Sequence, residues 1–249
     1  MQCALALSTV KVPRAAEIIV ISKRASISSG GSSISREDYV TTIYRLREVY
    51  GSAKLLDISR ELGVKPSTAS KVISRLEREG LVKREKYREV VLTERGEEIA
   101  KKIIRKHRIA EVFLVYKLSI DVFDAHYYAH YLEHLPDELI ERVYVFTGSP
   151  RRCPHGNTIP PVEASEVERQ LTELIRLSEA TPGVYVVERI AGELLSIIPT
   201  LKELQLKPGV VIEVVGQTSK CTIIKYNNVL REVVKSVAFT VFARQLAKL

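Results

Sequence analysis

The chain contains five histidines, and four of them, His107, His126, His130 and His134, fall within 28 residues. His126, His130 and His134 are spaced i, i+4, i+8. On a helix this places three imidazoles in one stripe, with Glu133 beside it. His107 and Glu111 form a second i, i+4 pair upstream. A single histidine is more often a satisfied core or surface residue than a ligand. Three stacked imidazoles beside a carboxylate fit that reading poorly: they bring little apolar surface to bury and repel one another if protonated. A divalent cation resolves both difficulties, because it takes neutral imidazole and ionised carboxylate. A hydrolytic metal site uses the same ligand types, but no Ser or Cys stands in a recognisable nucleophile elbow and no Gly-rich phosphate loop is present. Cys153 and His155 lie at i, i+2 in the irregular segment CPHGNTIPP (153–161), with no second pair, and read as a structural turn rather than a separate Cys/His site.

Helices must carry these side chains. GEEIAKKIIRKHRIAEVFLVYKL (96–118) has the pattern of one long helix, a fifth helix is expected from Val122 to Leu135, and a sixth begins near Asp137. Packed antiparallel, the first two bring the His107 and His126 sets together. Upstream, SREDYVTTIYRLREV opens on the N-cap residue Ser35 and is stopped by Gly51. LLDISREL (55–62), a turn at Gly63, Pro66 at a helix start and STASKVISRLEREG (67–80) make a helix-turn-helix pattern. LVKRE and REVVLT flank the basic tip KREKYRE as a hairpin wing. Beyond 161 the composition changes to β-branched runs bounded by two Pro-Gly turns, which reads as a small barrel.

The formal net charge is +8, and the segment Lys65 to Arg108 alone holds 14 Lys and Arg against 7 Glu. A charged face is usually a solvated face; here it coincides with the reading pattern. Ser67, Thr68, Ser70 and Lys71 open the third helix, with Arg75 one turn on, where a recognition helix presents side chains to base edges. Arg84, Lys86 and Arg88 on the wing are candidates for neutralising phosphate. The rival use of a helix pair is protein contact. Cys3, Cys153 and Cys221 form no disulfide framework and suit a reducing cytoplasm. No apolar run approaches the roughly 18–20 residues that a membrane span needs. The apolar stretches of residues 1–34 are too short and wrongly flanked for a signal peptide, and read as a poorly ordered tail or a misassigned gene start.

In order along the chain, EDYVTTIYRL, the winged helix, RKHRIAE (105–111), AHYYAHYLEH (125–134), CPHGNTIP (153–160) and the final barrel resemble the diphtheria-toxin-repressor and manganese-transport-regulator family of metal-dependent transcriptional regulators. The resemblance covers about residues 35–245. It implies a mainly α fold with a small β barrel: a flexible tail (1–34), a winged helix-turn-helix (35–97), a helical dimerisation and metal-binding unit (98–160), a linker (161–170) and an SH3-like domain (171–249). It implies a primary site of Asp38, His130, Glu133 and His134, and an ancillary site of His107, Glu111 and His126, with Glu193 as an additional ancillary ligand and Ser196 in place of a Gln. Asp38 stands where manganese sensors have Asp and iron sensors Met. His130 stands where iron sensors have Cys and manganese sensors Glu, and Thr41 where some manganese sensors place a carboxylate. The primary set matches neither subtype, so Mn²⁺ and Fe²⁺ both stay open, at two sites per chain. The implied function is a non-enzymatic repressor of metal-uptake genes, binding double-stranded operator DNA as a homodimer. A metal-dependent hydrolase with a basic helical appendage and a metal-independent winged-helix regulator are the alternatives.

Overall fold

A computed structural model of the chain describes residues 34–86, 89–161 and 174–246. The tail expected over 1–34 and the linker expected over 161–170 fall outside these residues except for Ile34 and Pro161, and Arg88 falls outside them too.

Helix α1 (Arg36–Tyr50) buries Tyr39, Val40, Ile43, Leu46 and Val49 along one face. Helix α2 (Leu55–Glu61) and helix α3 (Pro66–Arg78) follow. Pro66 fits the first turn of α3, whose amides need no partner within the helix. Ala69, Ile73 and Leu76 are the buried stripe of α3, while Val72 lies only half-buried at its margin. Strands β1 (Val82–Arg84) and β2 (Val90–Leu92) pair antiparallel as the wing. Helix α4 (Glu94–Leu118) starts at Thr93, whose hydroxyl accepts from Gly96 N at 3.1 Å and donates to Gly80 O at 2.7 Å. A Cβ at Gly96 would lie 2.0 Å from Leu81 O, so glycine is what lets the helix start close against the wing.

Helix α5 spans Val122–Leu132, with Glu133 as its C-cap, and helix α6 spans Asp137–Phe146. The sequence pattern predicts α5 running to Leu135. It stops earlier because Leu135 precedes Pro136, and a residue before proline is pushed out of the helical region.

The C-terminal part is a six-stranded antiparallel sheet of SH3-like kind: β3 (Ile175–Arg176), β4 (Gly183–Ile190), β5 (Val211–Gln217), β6 (Cys221–Tyr226), β7 (Val229–Val234) and β8 (Val241–Gln245). Its order is β3-β8-β4-β5-β6-β7. Short helices α7 (Ile198–Leu204) and α8 (Lys235–Ala238) connect strands. A register shift between Val187 and Arg189 breaks the alternation of β4, so Arg189 and Ile190 are both buried. Arg189 reaches Glu48 on α1.

One apolar cluster runs from α1, α3 and the wing through Phe123 into the sheet, and smaller clusters join α4 to α5 and α4 to α6. The tight turn Ala191–Glu193 sits directly on α1: a Cβ at Gly192 would lie 2.3 Å from Val49 Cγ2. Among the described residues no helix is long and apolar enough to cross a membrane.

Candidate metal centre and nucleic-acid interface

Helix α4 supplies His107, Arg108 and Glu111, all buried, and α5 supplies His126 and His130. The α4–α5 contact sets their rings edge to face, with centroids 4.8 Å apart for His107–His126, 4.7 Å for His107–His130 and 5.1 Å for His126–His130. Glu133, placed by the end of α5, binds His107 Nδ1 through Oε2 at 2.7 Å and faces His130 Nδ1 through Oε1 at 3.4 Å. Glu111 Oε1 lies 3.1 Å from His107 Nε2 and 2.9 Å from His126 Nδ1. The primary and ancillary sets are therefore contiguous, joined by the His107–Glu133 contact.

His134 is half exposed, 3.9 Å from Glu133 Oε1 and 3.7 Å from Glu37 Oε2 on α1. Glu37 lines a cleft of about 740 Å³ with Glu133 and His134. Sequence reasoning passed over Glu37; its proximity to Asp38 in the first turn of α1 was the available signal. Asp38 belongs to neither of the two compact groups of ligand atoms described below. The Thr41 hydroxyl is turned onto the backbone, donating to Glu37 O at 3.0 Å.

Among the described residues, two groups of potential ligands gather their atoms within 4.8 Å: His107, His126 and His130, and separately Glu111, Cys153, His155 and Glu193. The second group departs from the sequence reading. CPHG does form a turn, with Gly156 at φ 84° and its amide donating to Cys153 O at 2.9 Å. The same turn buries both Cys153 and His155, and turns His155 toward Glu111 and the Cys153 thiol toward Glu193. Glu193 joins this group rather than His107 and His126. It sits at φ 43°, a conformation unfavourable for a residue with a Cβ. Arg108, Asn157 Nδ2 at 2.7 Å and Cys153 Sγ at 3.1 Å hold its carboxylate in place.

Electrostatics favour charged acids and, at His126 and His130, neutral rings; at His107 burial is outweighed by Glu111 and Glu133, which hold that ring above its ordinary value. Burial raises the Glu111 carboxyl, but His155 and His107 beside it more than offset this and hold it well below the usual range. Burial likewise opposes ionisation of Glu193, and Arg108 outweighs it, holding the group at about 2. Burial pushes His126 well down and His130 down. Burial, reinforced by Glu193 and Glu111, pushes the Cys153 thiol well up.

Whether these residues suit a cation is tested by their unmet valences. Glu111 Oε2, His126 Nε2, His130 Nε2 and both ring nitrogens of His155 are buried without a hydrogen-bond partner. His155 Nδ1 lies 3.2 Å from Glu111 Oε1, but too far out of line to hydrogen-bond. Each such atom costs roughly 1–3 kcal/mol when left unmatched. Clustered on imidazole and carboxylate, they fit divalent cations.

The winged helix sorts the DNA-contact candidates. Ser67, Thr68 and Lys71 are exposed at the start of α3, and Lys86 is exposed on the wing. Ser70 is half-buried. Arg75 pairs with Glu79 at 2.9 Å. Arg84 is turned onto α3, donating to Ser70 O at 2.8 Å and Ser74 Oγ at 2.7 Å. It anchors the wing to the recognition helix. Arg88 lies outside the described residues.

Residues 33–90 match the family described as iron dependent repressor, N-terminal DNA binding domain, and residues 93–161 match iron dependent repressor, metal binding and dimerisation domain. The iron-dependent repressor IdeR of Mycobacterium tuberculosis is 31% identical over 185 residues, 70% of this chain and 80% of that protein. The chain belongs to the iron-dependent repressor family. Members are metal-dependent DNA-binding transcriptional regulators, and so is this chain. An uncharacterised HTH-type transcriptional regulator of Methanocaldococcus jannaschii is 40% identical over 116 residues, 46% of this chain and 93% of its own length. The structure of the manganese regulator SloR superposes with a TM-score of 0.71 at 27% identity, covering 86% of this chain and all of that one. Iron-dependent and manganese regulators thus both stand among the relatives of this repressor-family chain.

Proposed function

We propose that this chain represses metal-uptake genes by binding operator DNA as a homodimer when Mn²⁺ or Fe²⁺ fills its buried histidine and carboxylate groups. The observation that carries the reading is the run of unmatched imidazole and carboxylate atoms beside α1 of the reading head. His107, His126 and His130 with Glu133 and Glu111 are the nitrogen and oxygen ligands suited to Mn²⁺ or Fe²⁺. Asp38, Glu133 and His134 form the candidate bridge between α1 and the end of α5. Glu111, Cys153, His155 and Glu193 offer a second, softer set. A bound cation supplies a fixed positive charge that cross-links carboxylates of different elements. The functional division follows at 35–97 for DNA, 98–160 for metal and dimerisation, and 171–249 for the sheet domain.

Cys153 is not placed as a thiol nucleophile: burial pushes its thiol well up and it is hydrogen-bonded to Glu193, the opposite of an activated thiolate. Free buried Cys153 and Cys221 suit a reducing cytoplasm. The deciding experiment is anisotropy with a duplex from the gene's own upstream region, with Mn²⁺, with anaerobic Fe²⁺ and with chelator. Metal is expected to tighten binding by one to two orders of magnitude, in line with the usual range of allosteric coupling. Binding that ignores chelator overturns the proposal in favour of a metal-independent regulator.

Two further outcomes are expected. Lys71→Ala and Lys86→Ala should each lower the salt dependence of DNA affinity by roughly one counterion. Arg84→Ala should weaken binding while leaving that slope closer to the parent's, because its guanidinium is spent on α3. Equal slopes for all three variants would refute this division of roles. The dimer is expected to form through α4 and α6, where Tyr116, Val145 and Phe146 are 65%, 69% and 65% exposed on one chain. Sedimentation equilibrium should give a dimer at micromolar concentration with and without metal, and a monomer would count directly against it.

A further inference from the structure

Between α4, α1 and the sheet lies a charged network that no metal ligation requires. Arg108, 1% exposed, directs Nη2 to Glu48 Oε2 on α1 at 2.7 Å and to Glu193 Oε2 at 3.2 Å, and Nε to Glu193 Oε1 at 3.2 Å. Its Nη1 donates to Thr158 O at 2.7 Å. Glu48 Oε1 is met from the other side by Arg189 Nη2 at 3.2 Å, and Arg189 Nε donates to Asn157 Oδ1 at 2.6 Å. Glu48 thus sits between an arginine of the helical unit and one of the sheet. One atom, Arg108 Nη2, is shared by two carboxylates. One of those, Glu193, belongs to the thiol-bearing group. The other, Glu48, belongs to the reading head and precedes Val49, on which Gly192 closes.

We propose that Arg108 is a positioning residue that transmits the state of the Glu111, Cys153, His155 and Glu193 group to α1 of the DNA-reading head. Resting on the metal reading above, the argument is one of charge balance. With only protein groups present, Arg108 is the main counter-charge of Glu193, and Glu48 competes for the same Nη2. When the Glu193 carboxylate is instead balanced by a divalent cation, its hold on Arg108 weakens and Nη2 is left to Glu48. Glu48 then draws α1 against Arg108 and Arg189 together. In a buried setting such pairs are poorly screened, so redistributing one charge between two acids is felt by both. The thiol-bearing group would therefore act on DNA affinity itself, by a route separate from any ligand on α1. Reciprocity requires the same network to make DNA strengthen cation binding at that group.

Co²⁺ and the full-length chain provide the test, because a thiolate-to-cobalt absorption band in the near ultraviolet reports Cys153 as a ligand. The band gives Co²⁺ affinity, and anisotropy with the upstream duplex gives the gain in DNA affinity on adding Co²⁺. Glu48→Gln should keep the band and its midpoint within about twofold while losing about tenfold of the DNA gain, inside the usual range of allosteric coupling. Arg108→Gln should move the two readouts in opposite directions: tighter Co²⁺, because a competitor for Glu193 is gone, and a smaller DNA gain. A merely structural arginine would weaken both. Loss of the buried Arg108 charge can prevent folding, in which case Glu48→Gln decides alone. A full DNA gain in Glu48→Gln, or Co²⁺ affinity in folded Arg108→Gln no tighter than the parent's, overturns the relay. Absence of the band in the parent overturns the thiol-bearing site and the relay with it, and is told apart because it needs no DNA.

Discussion

Glu111→Gln should abolish metal activation of DNA binding more completely than any other single ligand substitution. Glu111 Oε1 is within 3.2 Å of ring nitrogens of His107, His126 and His155, and its Oε2 is buried without a partner. It belongs to the thiol-bearing group and reaches two rings of the histidine group. Glutamine keeps the shape but removes the charge, and one of its two lone-pair oxygens becomes a donor aimed at other ligands. Partners one shell further from a metal already cost 10–100-fold in affinity when removed, so loss of roughly 100-fold or more at each group is expected. Asp38→Ala and His134→Ala make the informative contrast. Asp38 lies in the first turn of α1 and His134 just past the end of α5, 3.9 Å from Glu133, so these variants leave the buried rings in place and should retain metal there yet lose most activation. Calorimetric stoichiometry beside anisotropy separates the cases. Parent-like stoichiometry and activation in Glu111→Gln would falsify the view that this carboxylate joins the two groups. Full activation in both Asp38→Ala and His134→Ala would remove the bridge between reading head and α5.

Gly192→Val should be among the most destabilising substitutions in the chain. Gly192 has φ +72°, which side chains with a Cβ rarely adopt, and its Cβ would lie 2.3 Å from Val49 Cγ2 and 2.9 Å from Arg45 O. The backbone term costs about 1–3 kcal/mol and overpacking a closed contact about 1–3 kcal/mol more. For a domain of this size each kcal/mol lowers the melting temperature by about 2–4 °C, so a loss on the order of 10 °C is expected in a thermal melt followed by circular dichroism. Gly209→Ala is the matched control. It has φ +89° with nothing within 4 Å, so it pays only for backbone strain. Equal melting temperatures for the two variants would mean that the sheet does not close on α1 at Gly192. The same substitution should also reduce the metal-dependent gain in DNA affinity, because Glu193 and α1 are positioned through this turn.

Much of the architecture was legible along the chain because it depends on neighbours in sequence. Gly51, Gly63 and Gly80 stop helices, each with a positive φ. Pro66 opens α3, and the two Pro-Gly pairs each lead into a strand, Pro182-Gly183 into β4 and Pro208-Gly209 into β5. The i, i+4 spacing of His126 and His130 put both rings on one face of α5 before any packing was known, since helical geometry alone does so, whereas His134, the third of the series, falls beyond the end of α5 and stands half exposed. The short αL pair Asn227 and Asn228, at φ 51° and 61°, likewise closes the β6–β7 hairpin by local chemistry.

The amino-acid sequence by itself determined the main elements, the shared face of His126 and His130 and the family likeness. Only the tertiary structure decided which ligands share a space. Glu133 reaches back to His107, 26 positions away, and so joins two sets that spacing had separated. Cys153 and His155 read as a bare turn because their companions, Glu111 and Glu193, come from a helix and from the sheet domain. Charge counting could not tell that Arg84 is spent on α3 and Arg108 on two acids, since a cation's role is set by which carboxylates and carbonyls packing brings to it. The physical reason is common to all three. Periodicity reports which side chains share a face of one element, whereas coordination and ion pairing need atoms within about 3 Å, and that is fixed only when the faces of separate elements close on one another.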